Sequence, residues 1–154
     1  MNIDDLKSLM DAFDPAALLP EAQVILDFLV KAARIAVIAG PVLLLLAGLA
    51  YLFLSPKEAN YYFGYRCYYG MGSVEAWRYS QKMAGLIWTG LGLALTVVML
   101  IVSGGFAGKE INEALTLALT CMLWEAGLVA VSVFVINGLV MYHFTAKGDR
   151  RRRK

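Results

Sequence analysis

Four polar side chains fall within one strongly aromatic stretch of this chain: Asn60, Arg66, Ser73 and Gln81. An arginine fork binds carboxylates, phosphates or backbone carbonyls, so their chemistry suits recognition. Glu125 is a second candidate, as the only charged residue between Ala114 and Phe144. A carboxylate inside an apolar run usually faces a bundle interior or a water-filled cavity. The plainer account puts Glu125 near the outer headgroups, where it snorkels. Asn137 follows twelve residues later. That is roughly a third of a turn off the Glu125 line, and it suits an interhelical hydrogen bond. His143 is the single histidine, with no cysteine or second histidine beside it, which argues against a metal. SGGFAGKE at Ser103 to Glu110 looks faintly like a phosphate loop. It has Ser at the first glycine position, Glu where a magnesium-binding hydroxyl belongs, and no preceding strand. No nucleophile–base pair, carboxylate pair or cofactor motif stands out, so neither catalysis nor a cofactor is expected.

The elements that must position these residues are set by composition. Of 154 residues, 60% are hydrophobic and 17% charged, and mean hydropathy is +0.63. A small soluble domain needs more polar surface than this. A soluble monomer, a disordered chain, a disulfide scaffold and a cytosolic nucleic-acid binder are thereby excluded. Cys67 and Cys121 read as free thiols. A bilayer core takes about 20 apolar residues as helix. Three segments qualify: Ile35–Leu54, roughly Met83–Ala107, and Ala114–Phe144. The third is longer than a straight span needs. It tilts, projects, or includes an ordered piece before the span around Leu115–Leu123. Pro41 removes a hydrogen bond within the first span.

Upstream, Glu21–Ala33 places Val24, Ile25, Phe28, Leu29 and Ala32 at helical spacing, with Gln23, Asp27 and Lys31 opposite. This amphipathic helix, opened by Pro20, either lies on the membrane surface or extends the first span. The chain therefore divides into an acidic tail with an amphipathic helix at 1–34, a membrane domain at 35–146 with its loop at 56–85, and a basic tail at 147–154. The acidic start, MNIDDLKSLMDAFD, does not resemble a secretory signal.

Lysine and arginine set the expected orientation. The first connection carries Lys57, Arg66, Arg78 and Lys82, and the C-terminal tail carries six basic residues. Lys7, Lys31 and Arg34 precede the first span, and Lys109 alone lies in the second connection. Ten positive residues face the cytoplasm, and four lie outside, if the N-terminus is outside and the C-terminus inside. The opposite orientation reverses those numbers. On this topology Arg34 and Glu125 approach the bundle from the same side and are expected to pair.

Between Tyr61 and Tyr69, six residues are aromatic: Tyr61, Tyr62, Phe63, Tyr65, Tyr68 and Tyr69. An interfacial aromatic belt explains the rings but not the polar residues among them. Gly64, Gly70 and Gly72 predict a tight loop. Ser73 suits a helix N-cap, with Glu75 in the first turn. On the helix that follows, Trp77, Gln81, Ala84 and Trp88 share one side. Small-residue pairs at Ala36/Gly40, Gly85/Thr89, Gly90/Ala94 and Ala126/Ala130 permit close helix contact and self-association.

Asn60-x-x-x-Gly64-x-Arg66, then Ser73, Trp77 and Gly85, resembles the signature of the SdpI family of bacterial membrane immunity proteins. The resemblance covers roughly Pro56 to Leu95. Cys67 stands where that family usually has Thr, Gly70 where a hydroxyl residue is common, and Gln81 where Asn is common. The resemblance implies a multi-pass protein of the bacterial cytoplasmic membrane. In characterised relatives such a protein protects a producer cell from its own peptide toxin. The fold expected is an all-α, three-helix membrane bundle with an N-terminal amphipathic helix. Its expected partners are membrane lipids, a peptide toxin or a membrane protein, and further copies of itself, with no nucleic acid. A small transporter or channel lined by Arg66, Trp77, Gln81 and Glu125 is the alternative, and a structural subunit of a larger membrane complex is a third.

Overall fold

The computed structural model describes residues 20–60, 62–106, 108–109 and 111–151, with side chains from Val24 onward. The acidic tail to residue 19, Tyr61 and the last three basic residues lie outside the described residues. The described residues form three helices in order: α1 (Pro20–Phe53), α2 (Val74–Gly104) and α3 (Ile111–His143). Each contains a segment long and apolar enough to cross a membrane, so this is a multi-pass membrane protein. In lipid the backbone must satisfy its own hydrogen bonds, which is why apolar runs of this length become helices despite many β-branched residues. Each helix is about 45–50 Å long, more than the roughly 30 Å hydrocarbon core. The ends therefore project or the helices tilt.

Of the two alternatives for Glu21–Ala33, the described residues show the second: the segment extends the first span. Residues from Pro20 run unbroken into α1. Val24, Ile25, Phe28 and Leu29, the expected apolar face, are exposed. Val30, Ala33 and Val37 turn inward instead and meet Met99, Phe106, Ala114 and Ala118. Pro41 lies inside α1, fully buried, without ending it. α3 begins three residues before the expected start, at Ile111.

The pairing of α1 with α2 is the most extensive in the bundle. It follows from small residues. Added Cβ atoms at Gly85, Gly48 and Gly92 would collide with Leu52, Thr89 and Leu45 respectively. Each step back along α1 is matched by an equal step forward along α2, as close antiparallel helices require. Gly90 faces open space, and Ala94, Ala126 and Ala130 are exposed, so those small-residue pairs serve no contact within the described chain. The loop between α1 and α2 and the chain after α3 lie at the same end of the bundle.

Candidate functional site

The first connection is held down residue by residue. Asn60 begins it. Its Oδ1 accepts from the Tyr62 and Phe63 amides at 3.0 and 2.9 Å, which turns the chain back. Gly64 follows at φ 128°, a region other residues rarely adopt. A Cβ there would lie 2.6 Å from the Trp77 ring and 3.1 Å from Gln81 Oε1. Trp77 is fully buried, and its Nε1 donates to the Pro56 carbonyl at 2.9 Å. The next residue, Tyr65, is clamped by Gln81. Its N–H donates to Gln81 Oε1 at 2.7 Å, and Gln81 Nε2 donates to its carbonyl at 2.8 Å. A glutamine placed like this replaces a neighbouring strand, satisfying a buried backbone that has no helix or sheet of its own.

The Tyr65 ring continues inward. Its hydroxyl donates to Asn137 Oδ1 on α3 at 2.9 Å, and its edge meets Trp88 at 5.6 Å between centroids. Burial, helped by nearby Cys67 and Tyr51, pushes the phenol from 10.0 up to about 12. Burial also raises the Cys67 thiol, opposed by a backbone hydrogen bond from Gly70. Asn137 thus bonds to the loop, where an interhelical bond was expected. Between α2 and α3, Trp88 Nε1 donates to Ser132 Oγ at 3.0 Å, and a second side-chain bond joins Tyr79 to His143.

Ser73 caps α2 by accepting from the Ala76 amide at 3.1 Å, and its hydroxyl donates to the Gly148 carbonyl at 2.8 Å. The chain after α3 is therefore no simple tail. Residues 144–150 make a tight turn that bridges Phe144 to Arg150, and Gly148 at φ 83° packs backbone to backbone on Gly72. Arg150 meets Glu75 at 3.5 Å. Sequence reasoning missed this docking. The signals were Gly148 before Asp149, a turn pair, and Gly72 before the cap.

Asn60, Gly64, Ser73, Trp77 and Gln81 are thus brought together as loop scaffolding, and Gly85 sets the helix contact below them. Arg66 is different. It is exposed and lies at a cavity of about 510 Å³ walled by Cys67, Tyr68, Phe134, Asn137 and Met141. A guanidinium over an aromatic and aliphatic wall suits an anionic group attached to an apolar body.

Glu125 lies elsewhere. It sits near the middle of α3, about 18 Å along the helix from Asn137. It is buried, and a Cβ on Gly40 would lie 2.8 Å from its Oε2. Its Oε1 is buried with no hydrogen-bond partner among the described residues. The expected pair with Arg34 does not form. Arg34 is exposed, and among the described residues it makes no ion pair. Glu125 packs at Gly40, six residues deeper along α1, about 9 Å beyond the Arg34 level. His143 packs against Tyr79, with Nδ1 3.1 Å from the Tyr79 hydroxyl. No group of three His, Cys, Asp or Glu suited to a metal occurs among the described residues.

Residues 57–143, more than half of the chain, match the SdpI/YfhL protein family. Comparison with curated proteins and with solved structures gives no match.

Proposed function

The chain belongs to the SdpI/YfhL protein family, and on that premise we propose that it protects a bacterial envelope by binding a membrane-active peptide toxin at the Arg66 cavity. The observation that carries this reading is the cavity itself: Arg66 is exposed and lines it together with Tyr68, Phe134 and Met141, on a loop that Trp77, Gln81, Asn60 and Ser73 hold in shape. The fork would take a peptide carboxylate or backbone carbonyls, and the aromatic wall would take apolar side chains. Such a surface acts by capture, with no bond made or broken. The protein lies in the cytoplasmic membrane with its N-terminus outside, as the Lys/Arg bias supports. A peptide inserted in the bilayer meets the loop at the inner headgroups. Self-association through the outward small-residue pairs belongs to the same reading.

Transport has less support. A polar path through Arg66, Trp77, Gln81 and Glu125 would need them in one line. Trp77 and Gln81 are engaged with the loop backbone, and Glu125 is about 18 Å deeper than Asn137.

The test is survival. Cells carrying the full chain or an empty vector are challenged with a panel of bacterial membrane-active peptides. Protection against at least one is expected. No protection, together with solute flux through liposomes containing the protein, would replace this reading with a channel. No protection and no flux would favour a structural subunit.

A further inference from the structure

A second cavity, about 410 Å³, opens where α1 ends and α2 begins, and it shares no lining residue with the Arg66 cavity. Lys57, Arg78 and Lys82 line it, with Tyr51, Leu52 and Phe53 as its apolar part. The cations are placed by the fold. Consecutive α2 residues hold consecutive loop carbonyls: Trp77 Nε1 donates to Pro56, and Arg78 Nε to Lys57 at 3.3 Å. The Leu52–Gly85 contact sets the end of α1 level with the last charged residue of α2, Lys82.

Among the described residues, none of the three cations has a carboxylate within ion-pair distance. Glu75, on the same helix, meets Arg150. Glu58, next to Lys57, makes no ion pair among the described residues and does not line the cavity. Three like charges gathered without a counter-ion repel one another and favour an anion between them. Beside them the surface turns apolar at once: Phe53 and Leu54 are 78% and 73% exposed. Leu86, one turn on from Lys82, is also exposed. A headgroup with its charge on the cations would therefore have apolar side chains along which to lay its acyl chains.

We propose that Lys57, Arg78 and Lys82 form a binding site for the phosphate headgroup of an anionic phospholipid in the leaflet that meets the loop. The site is independent of peptide capture at Arg66, and it does not depend on which way the protein crosses the membrane. A free phosphate offers the same charge but not the acyl chains. Basic pockets between helices bind acidic headgroups through this combination of charge and depth.

The experiment measures thermal stability and bound lipid on the purified full chain in neutral detergent. The additions are phosphatidylglycerol, phosphatidylcholine and inorganic phosphate. The double variant Lys57→Gln/Lys82→Gln removes two cations whose side chains make no hydrogen bond or ion pair among the described residues, and so leaves the fold intact. Lys31→Gln/Lys109→Gln removes the same charge elsewhere. Phosphatidylglycerol should raise the melting temperature of the wild type, and phosphatidylcholine should not. The first variant should bind phosphatidylglycerol roughly tenfold or more weakly, with its stability in phosphatidylcholine unchanged. The control variant should bind like the wild type. Equal weakening in both variants would reduce the effect to overall charge and overturn the site. So would an undiminished response in the first variant. An equal response to inorganic phosphate would overturn the lipid assignment.

Discussion

Gln81 holds Tyr65 by both of its backbone groups, at 2.7 and 2.8 Å, across sixteen residues of sequence. The pair joins α2 to a loop that otherwise has few backbone bonds of its own. Gln81→Leu keeps the side-chain volume but leaves a buried N–H and a buried carbonyl unpaired. Each such group costs about 1–3 kcal/mol. The variant should lose roughly 2–5 kcal/mol in detergent unfolding, and exchange at the Tyr65 amide should accelerate. Wild-type stability would show that the clamp contributes nothing.

The α1–α2 contact predicts a contrast between two glycines on one helix. A Cβ at Gly92 would lie 2.5 Å from the Leu45 backbone nitrogen, which cannot swing aside, whereas Gly90 faces open space. Gly92→Ala should destabilise by about 1–3 kcal/mol or more. Gly90→Ala should leave unfolding of the monomer unchanged or slightly improved. Equal effects would mean that the helices are not packed in this register.

Glu125 and Arg34 should behave as strangers. Arg34→Gln is expected to alter stability by less than about 0.5 kcal/mol. Glu125→Leu replaces a buried carboxyl, one oxygen of which has no partner among the described residues, by an apolar side chain of similar size. It should raise stability, by roughly 1–3 kcal/mol. Loss of stability in Glu125→Leu would reveal a partner for the carboxyl, and a coupled double-mutant cycle would identify that partner as Arg34.

Tyr65 gives the loop a pH limit. Its phenol is neutral in the folded loop and is pushed up to about 12, against 10.0 unperturbed. The folded state therefore binds the proton more tightly. The stabilisation is complete below pH 10 and is lost as the pH climbs from about 10 through about 12. Tryptophan fluorescence should report this, since Tyr65 ionising beside Trp88 quenches it. The difference between the wild type and Tyr65→Phe should show a midpoint near 12. A midpoint near 10 would mean an unburied phenol.

Much of this was legible in the sequence, for reasons particular residues make plain. Long apolar runs, broken only by Glu125 in the third, mark the spans of α1, α2 and α3. Ser73 with Glu75 marks the start of α2, because a cap is a local interaction. Trp77 and Gln81 share a face for the same local reason. What was hidden depends on distant chain. Tyr65 was one ring among six until Gln81 and Asn137 fixed it. The turn at Gly148 docks on Gly72 from the far end of the molecule. The Arg34–Glu125 pair failed because charge and side of approach were legible, while depth and rotation were not. Glu21–Ala33 kept its amphipathic spacing, but α1 turned Val30 and Ala33 inward, following the register that Gly48 and Gly85 impose below.

The central claim is that the loop exists to present Arg66. It is tested most directly by Arg66→Lys in the toxin-survival assay, with membrane level and melting temperature matched to the wild type. Lysine keeps the charge but not the fork. Protection should fall at least tenfold, while Lys57→Gln, a charge change in the same loop, should leave it intact. Full protection by Arg66→Lys would contradict the account, and Arg66 would then be one more positive charge beside the membrane.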